Sequence, residues 1–188
     1  MNMGIIIAFV ILGVIIVGIV SGGVAIYNRL VMLKYNVDKN FANIDVILKQ
    51  RVDEIPNLIA VVKKTQGYEE SLLNQLTELR TAFLSSRSTD EKVQLANEVG
   101  KLLNSFFAVS ENYPELKAVE SFRPLQLRVS DLEDMLSDRR ELYNESVNMY
   151  NIGIHEMPAL LFARPMGYTD KPLLHISEEE KKYDGIRF

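Results

Sequence analysis

The stretch that decides the fold is the run from Met3 to Tyr27, which reads MGIIIAFVILGVIIVGIVSGGVAIY. It contains no Asp, Glu, Lys or Arg, and consists mostly of Ile, Val, Gly and Ala. A helix needs about 20 such residues to cross the hydrocarbon core of a bilayer. We therefore interpret residues 1–28 as one transmembrane anchor, with the lipid bilayer as its surroundings.

A cleaved signal peptide is the alternative interpretation of this run. Signal peptides carry a basic N-terminal region, a shorter apolar core and a small-x-small cleavage site. Here no Lys or Arg precedes the run, whereas Arg29, Lys34 and Lys39 follow it. We therefore expect an uncleaved single-pass anchor, and the positive-inside rule predicts an outside N-terminus with the remaining chain in the cytoplasm.

The anchor also carries small residues at helical spacing. Gly18 and Gly22 form a G-x-x-x-G pair, and Ser21 and Ala25 form a second small pair. Small residues one turn apart let two membrane helices approach closely, which predicts a self-association face and a homo-oligomer. The alternative is that glycine is simply frequent in membrane helices.

Beyond the anchor, apolar residues recur at intervals of three and four, which is typical of α-helices. Four stripes follow this spacing: Phe41–Val62, Leu72–Phe83, Val93–Phe106 and Phe122–Ile154. No Gly or Pro lies between Val24 and Asp53, so the anchor is predicted to continue into the first stripe, with a kink at Pro56 and an end at Gly67.

The predicted fold class is therefore all-α. An N-terminal transmembrane helix continues into an antiparallel four-helix bundle over residues 29–163. The periodicity stops at residue 164, and residues 164–188 are predicted to form an irregular C-terminal tail. This tail is expected to be a docked strap, a peptide ligand for a partner, or a frayed terminus.

Polar residues interrupt the apolar stripes of the first and fourth helices, and we call this set the polar seam. Unpaired buried charges are too costly to persist, so these side chains should be paired. They either set the register between helices or form a polar site for a ligand or partner. The seam consists of Asp45, Arg51, Asp53, Asn57, Glu133, Arg139, Arg140, Tyr143, Asn144, Tyr150 and Asn151.

The same stretches carry a family resemblance. The motifs are IDVILKQRVDEIPNLI at 44–59, YPELKAVESF at 113–122, and the Tyr-Asn pairs at 143–144 and 150–151. With them the chain resembles the LemA family of bacterial membrane proteins over residues 27–168, and more weakly through the tail. It departs from the family's aromatic residues at Met157 and at the Leu173–Leu174 pair.

The resemblance implies a bacterial cell-membrane protein with one N-terminal membrane helix, an outside N-terminus and an all-helical domain. Members of this family often accompany a membrane zinc protease or other envelope proteins, and one relative takes part in magnetosome formation. The resemblance supplies no catalytic residues.

An enzymatic function finds no support in the residues. The chain has no Cys and two His, and His155-Glu156 lacks a second His at the spacing of a helical zinc site. P-loop, G-x-S-x-G and dinucleotide-binding motifs are absent from the sequence. The net charge of −4 does not favour a nucleic-acid partner. We therefore expect no cofactor, no metal and no catalysis.

Two functions remain. The first is a membrane-anchored scaffold or adaptor that self-associates and organises or recruits envelope proteins, such as a membrane protease. The alternative is a membrane-tethered sensor or ligand-binding module that uses the polar seam.

Overall fold

The computed structural model describes residues 3–63, 70–110 and 112–174, apart from the side chains of residues 89 and 90. The described residues form helices and no β-strand, which confirms the all-α class. The predicted end at Gly67 and the tail beyond Leu174 lie outside the described residues. The helices are α1 Met3–Asp53, α2 Ile55–Val62, α3 Glu70–Ser85, α4 Thr89–Ser110, α5 Pro114–Lys117, α6 Phe122–His155 and α7 Leu160–Ala163.

The long helix α1 confirms that the apolar run continues into the helical domain without a linker. It comprises 51 residues from Met3 to Asp53. Its most apolar window has the length and composition of a membrane span, and none of that window is buried. Burial begins at Leu30, two residues after the end of the predicted anchor.

The break at Pro56 differs slightly from the predicted kink. Helix α1 ends at Asp53, and α2 begins at Ile55 with Pro56 in its first turn. The Glu54 N–H donates to the Arg51 carbonyl at 3.2 Å, three residues back instead of four. Proline is tolerated in the first turn of a helix because no N–H is needed there. The chain therefore accommodates Pro56 by starting a new helix.

The chain divides into two compact units. We call residues 1–41 with 140–188 the terminal unit, and residues 42–139 the central unit. Helices α1 and α6 contribute one part to each unit. The predicted domain boundaries after residues 28 and 163 stay predictions.

In the central unit, α3 and α4 pack against each other and α5 lies against α4. Aromatic rings of Phe106, Phe107 and Phe122 cluster there, with centroids 5.3 to 6.4 Å apart. The short helix α5, which begins at Pro114, was not predicted. The most deeply buried apolar side chains of this unit are Ile44, Leu48, Val52, Ile55, Leu58, Val62, Leu76, Ala96, Val99, Leu103, Phe106, Leu116, Leu132 and Leu136.

In the terminal unit, α1 and α6 run antiparallel. Arg29 pairs with Glu156 at 2.7 Å, and twelve residues further along α1 the ring of Phe41 meets that of Tyr143, with centroids 5.8 Å apart. A side chain at Gly153 would collide with Leu33, so glycine lets the two helices pack closely here. The short helix α7 after α6 was not predicted.

Candidate functional site

The most deeply buried charge of the polar seam is Arg51 in the central unit. Its side chain is 2% exposed and forms an ion pair with Glu133 of α6. Its Nη1 also donates to the carbonyl of Ala96 on α4 at 3.5 Å. One guanidinium group therefore connects α1, α4 and α6, which is the register-setting role expected of a paired buried charge.

Helix α4 makes room for this guanidinium through a residue that the sequence analysis missed. A side chain at Gly100 would collide with the guanidinium of Arg51. Ala96 and Gly100 lie one helical turn apart, so together they leave a notch in the surface of α4. The small-x-x-x-small pair inside an apolar stripe is the sequence signal that could have revealed this notch.

The remaining seam residues of the central unit do not converge on one point. Asp45 pairs with Lys92 at 3.3 Å, and Asp53 pairs with Lys49 at 2.6 Å within α1. These are half-exposed or exposed ion pairs, which contribute little to stability. Asn57 donates to the Glu54 carboxylate at 2.8 Å, and Arg139 is half-buried.

In the terminal unit, two asparagines of the seam bind the main chain of the tail. Asn151 donates to the Lys171 carbonyl at 2.9 Å and accepts the Lys171 N–H at 2.9 Å. Asn144 does the same with Leu174, at 2.9 and 2.8 Å. We call this pair the asparagine clamp. The described part of the tail is thus bound to α6 at Lys171 and Leu174, and the role of the tail as a whole stays a prediction.

Tyr150 lies between the two clamp residues and also binds the tail. Its hydroxyl donates to the Thr169 carbonyl at 3.0 Å, and its ring centroid is 6.1 Å from that of Tyr168. Burial, and then the neighbouring Tyr168 phenol, raise the pKa of Tyr150 above 10.0. Lys171 lies 5.6 Å from the Tyr150 ring centroid and pairs with Asp38 of α1 at 2.6 Å.

The last two seam residues, Arg140 and Tyr143, are both buried near the start of the terminal unit's part of α6. Tyr143 packs edge-on against Phe41, which belongs to α1. Its place is therefore in the helix interface, where it fills space between α1 and α6.

The small residues of the anchor lie on an open face. An added Cβ at Gly18 or Gly22 meets no described atom within 4 Å. Ser21 and Ala25 are exposed too, and the Ser21 hydroxyl donates to the Gly18 carbonyl at 3.0 Å within the same helix. The face is thus free within the described chain, and its use in self-association stays a prediction.

The described residues show little that resembles a catalytic or metal centre. Among them, no three His, Asp or Glu side chains are grouped so that they could hold a metal ion. The described part of the terminal unit includes surface depressions. One of about 410 Å³ is bordered by Asn151, Ile152, His155 and Glu156, and one of about 200 Å³ lies between α1 and α6 beside Asn36 and Asn40. The first is largely open to solvent.

Curated relatives are found among magnetosome proteins. "Magnetosome protein MamQ 2" of Paramagnetospirillum magneticum is 23% identical over 158 residues, which cover 70% of this chain and 58% of the relative. "Magnetosome protein MamQ" of Magnetospirillum gryphiswaldense is 20% identical over 175 residues, which cover 79% of this chain and 64% of the relative. The chain thus spans less than two thirds of the length of these relatives.

A family match covers most of the chain. The model of the LemA family matches residues 40–188, which include the Arg51–Glu133 pair, the notch at Gly100 and the asparagine clamp. The match begins after the apolar run, so it concerns the helical domain and the tail. On this match, the chain belongs to the LemA family.

Proposed function

We propose that this protein is a membrane-anchored, non-catalytic helical scaffold or adaptor. It self-associates through its anchor and organises or recruits envelope proteins, of which a membrane protease is one candidate. The observation that carries this proposal is the continuity of α1. The apolar run and the helix that packs against α6 are one unbroken element of the terminal unit.

Continuity matters because a scaffold must hold its binding surfaces at a defined place. A flexible linker between anchor and domain would let the domain sample many positions. Here the Arg29–Glu156 pair and the close approach of Leu33 to Gly153 fasten α6 to α1 directly after the apolar run. The tail is fastened to α6 in turn by the asparagine clamp.

The relatives support the same type of role. Their names describe proteins of the magnetosome. For the present chain, this supports a role in organising a membrane-associated assembly, without specifying which assembly.

Self-association is tested by cross-linking the full chain in native membranes. A Gly18→Ile, Gly22→Ile variant should lose the cross-linked dimer, because branched side chains keep a second helix at a distance. Gly13→Ile is the matched control: Gly13 is equally open but lies roughly 140–180° around the helix from both glycines. If the Gly18→Ile, Gly22→Ile variant still forms the wild-type dimer, the proposed face is wrong.

The topology is tested with introduced cysteines, since the chain has none of its own. We propose that the N-terminus lies outside and the helical domain in the cytoplasm of a bacterial cell. A membrane-impermeant maleimide should then label Asn2→Cys in intact cells, and Ser137→Cys only after permeabilisation. Labelling of Ser137→Cys in intact cells would place the domain outside.

A sensor that uses the polar seam is the alternative proposal, and it has less support. The seam side chains with the most definite contacts, Arg51, Asn144 and Asn151, are engaged within the chain. A screen of metabolites and metal ions by thermal unfolding of the full chain in detergent separates the two proposals. A ligand that stabilises the wild type and not an Asn151→Ala variant would favour the sensor.

A further inference from the structure

The corner that connects α6 to the tail exposes apolar side chains beside the anchor. This corner comprises Met157–Met166 and contains helix α7. Its exposed apolar residues are Met157 (69%), Leu161 (65%), Phe162 (36%) and Met166 (40%). Clustered apolar residues on a surface are a mark of an interaction site.

The corner reaches back along α1 into the apolar run. The ring of Phe162 lies 3.7 Å from the position of an added Cβ on Gly23. Gly23 precedes Arg29, the first charged residue of the chain, by six residues, which is about 9 Å along a helix axis. Phe162 therefore lies next to uncharged helix surface, beyond the level of the Arg29–Glu156 pair.

We propose that this corner is a second membrane contact, in which Leu161 and Phe162 insert into the lipid interface of the leaflet where the anchor ends. The proposal rests on the proposed transmembrane role of α1. If α1 spans the bilayer, the segment around Gly23 lies near the edge of the hydrocarbon core, because the uncharged run is only slightly longer than a span. A ring packed on Gly23 is then at the same depth.

The polarity of the corner fits a lipid interface. Helices that lie in a lipid interface bury Trp, Phe and Leu side chains at the boundary between headgroups and acyl chains, and Leu161 and Phe162 are residues of this kind. Arg164 is exposed two residues later, where a basic side chain is attracted by anionic lipid headgroups. A protein partner would explain the exposed apolar residues equally well, but it would not explain why they lie next to the anchor.

The main-chain N–H groups of helix α7 and of Arg164, within the corner, are hydrogen-bonded inside the chain. Buried or lipid-exposed N–H groups need acceptors within the protein. The N–H groups of residues 160–164 all donate to main-chain carbonyls of residues 156–160, at 2.8 to 3.4 Å. Pro158 and Pro165, on either side, have no N–H to satisfy.

The test uses tryptophan fluorescence of the full chain in phosphatidylcholine–phosphatidylglycerol vesicles. The chain contains no Trp, so each variant carries a single reporter. Phe162→Trp and Leu161→Trp place it in the corner, Val14→Trp in the middle of the apolar run, and Tyr35→Trp at a site that is 71% exposed beyond the run. The quenchers are lipids brominated near the headgroup end of the acyl chain, lipids brominated near its terminus, and acrylamide in the water.

We expect the two corner reporters to lose most of their emission to the shallow brominated lipid, and Val14→Trp to the deep one. Tyr35→Trp should respond to acrylamide alone. If Val14→Trp is quenched by lipid while both corner reporters behave like Tyr35→Trp, the corner does not contact lipid and the anchor proposal stands. Corner reporters shielded from both lipid and acrylamide would indicate a protein partner instead. If Val14→Trp itself escapes the deep lipid, the anchor proposal fails and this inference fails with it.

Discussion

Asn151 binds the main chain of Lys171 through both polar atoms of its side-chain amide, each at 2.9 Å. Asn144 repeats the arrangement with Leu174. The two asparagines lie seven residues apart on α6, which is about 10.5 Å along the axis. Three residues of extended chain cover roughly the same length. The spacing of the two asparagines therefore matches the rise of the tail, which runs antiparallel to α6.

An Asn151→Ala variant should loosen the tail. It removes two hydrogen bonds, each worth roughly 0.5–1.5 kcal/mol. Together they amount to about 1–3 kcal/mol, so we expect the Lys171 amide to exchange its hydrogen at least about fivefold faster, since 1.4 kcal/mol corresponds to a factor of ten. Hydrogen exchange of the full chain, followed by mass spectrometry, measures this. Asn148→Ala, at an exposed position of the same helix, should leave the exchange unchanged. Equal exchange in both variants would mean that the clamp does not hold the tail.

Breaking the buried Arg51–Glu133 pair should cost more stability than breaking a surface pair. Glu133→Gln removes the charge of one partner of a 2% exposed guanidinium, and breaking a buried ion pair typically costs about 3–5 kcal/mol. We expect the lower end of that range, because the Glu133 side chain is 26% exposed and water can reach it. Denaturant unfolding of the full chain in detergent micelles measures the loss. The control is Asp53→Asn in the exposed Lys49–Asp53 pair, with an expected cost of less than about 1 kcal/mol.

Gly100→Ala should destabilise the chain although alanine favours helices. The gain in helix propensity is about 1 kcal/mol. This gain is opposed because the new methyl group displaces the buried Arg51 guanidinium. Overpacking of this kind typically costs about 1–3 kcal/mol. In an Arg51→Met background, the flexible methionine side chain can move away from the new methyl group. Gly100→Ala should then be neutral or stabilising. A double-mutant cycle of unfolding free energies measures this coupling. If the cost of Gly100→Ala is the same in both backgrounds, Arg51 is not its cause.

Alkaline pH should release the tail from Tyr150. Burial raises the pKa of Tyr150 in the folded chain above its unfolded value near 10.0. The contribution of the neutral phenol to the free energy of unfolding is therefore fully present below pH 10. It is lost as the pH rises through the folded-state pKa. Tyr168, Asp170, Asp38 and Lys171 are the other titratable groups close to this phenol.

Tyrosinate absorbance and proteolysis of the tail, both followed against pH, provide the measurement. In the wild type, tail cleavage should show a step above pH 10, in the range where Tyr150 ionises. The Tyr150→Phe variant should lack that step. Its tail should be cleaved more readily at neutral pH, because the hydrogen bond to the Thr169 carbonyl is lost. Tyr35→Phe, at an exposed position, serves as the control. A wild-type tail that stays protected after all tyrosines have ionised would contradict the prediction.

The sequence by itself determined the helices and the apolar run. Helical periodicity and the lack of breakers between Val24 and Asp53 are local properties, and a helix closes its hydrogen bonds within a few residues. For this reason α1, α3, α4 and α6 could be predicted with little knowledge of the rest of the chain. The polar seam could be recognised in the same way, because polar residues stand out in an apolar stripe.

The tertiary structure alone decided what the seam residues bind. The sequence placed Arg51, Asn144 and Asn151 in one set, yet Arg51 joins three helices of the central unit while the asparagines bind the tail of the terminal unit. Those partners lie from 20 to more than 80 residues away along the chain. Contacts at such distances depend on how helices pack and on where space is left, as at Gly100. A periodic pattern contains no information on either, so the Arg51 link and the docked tail became visible only in the folded chain.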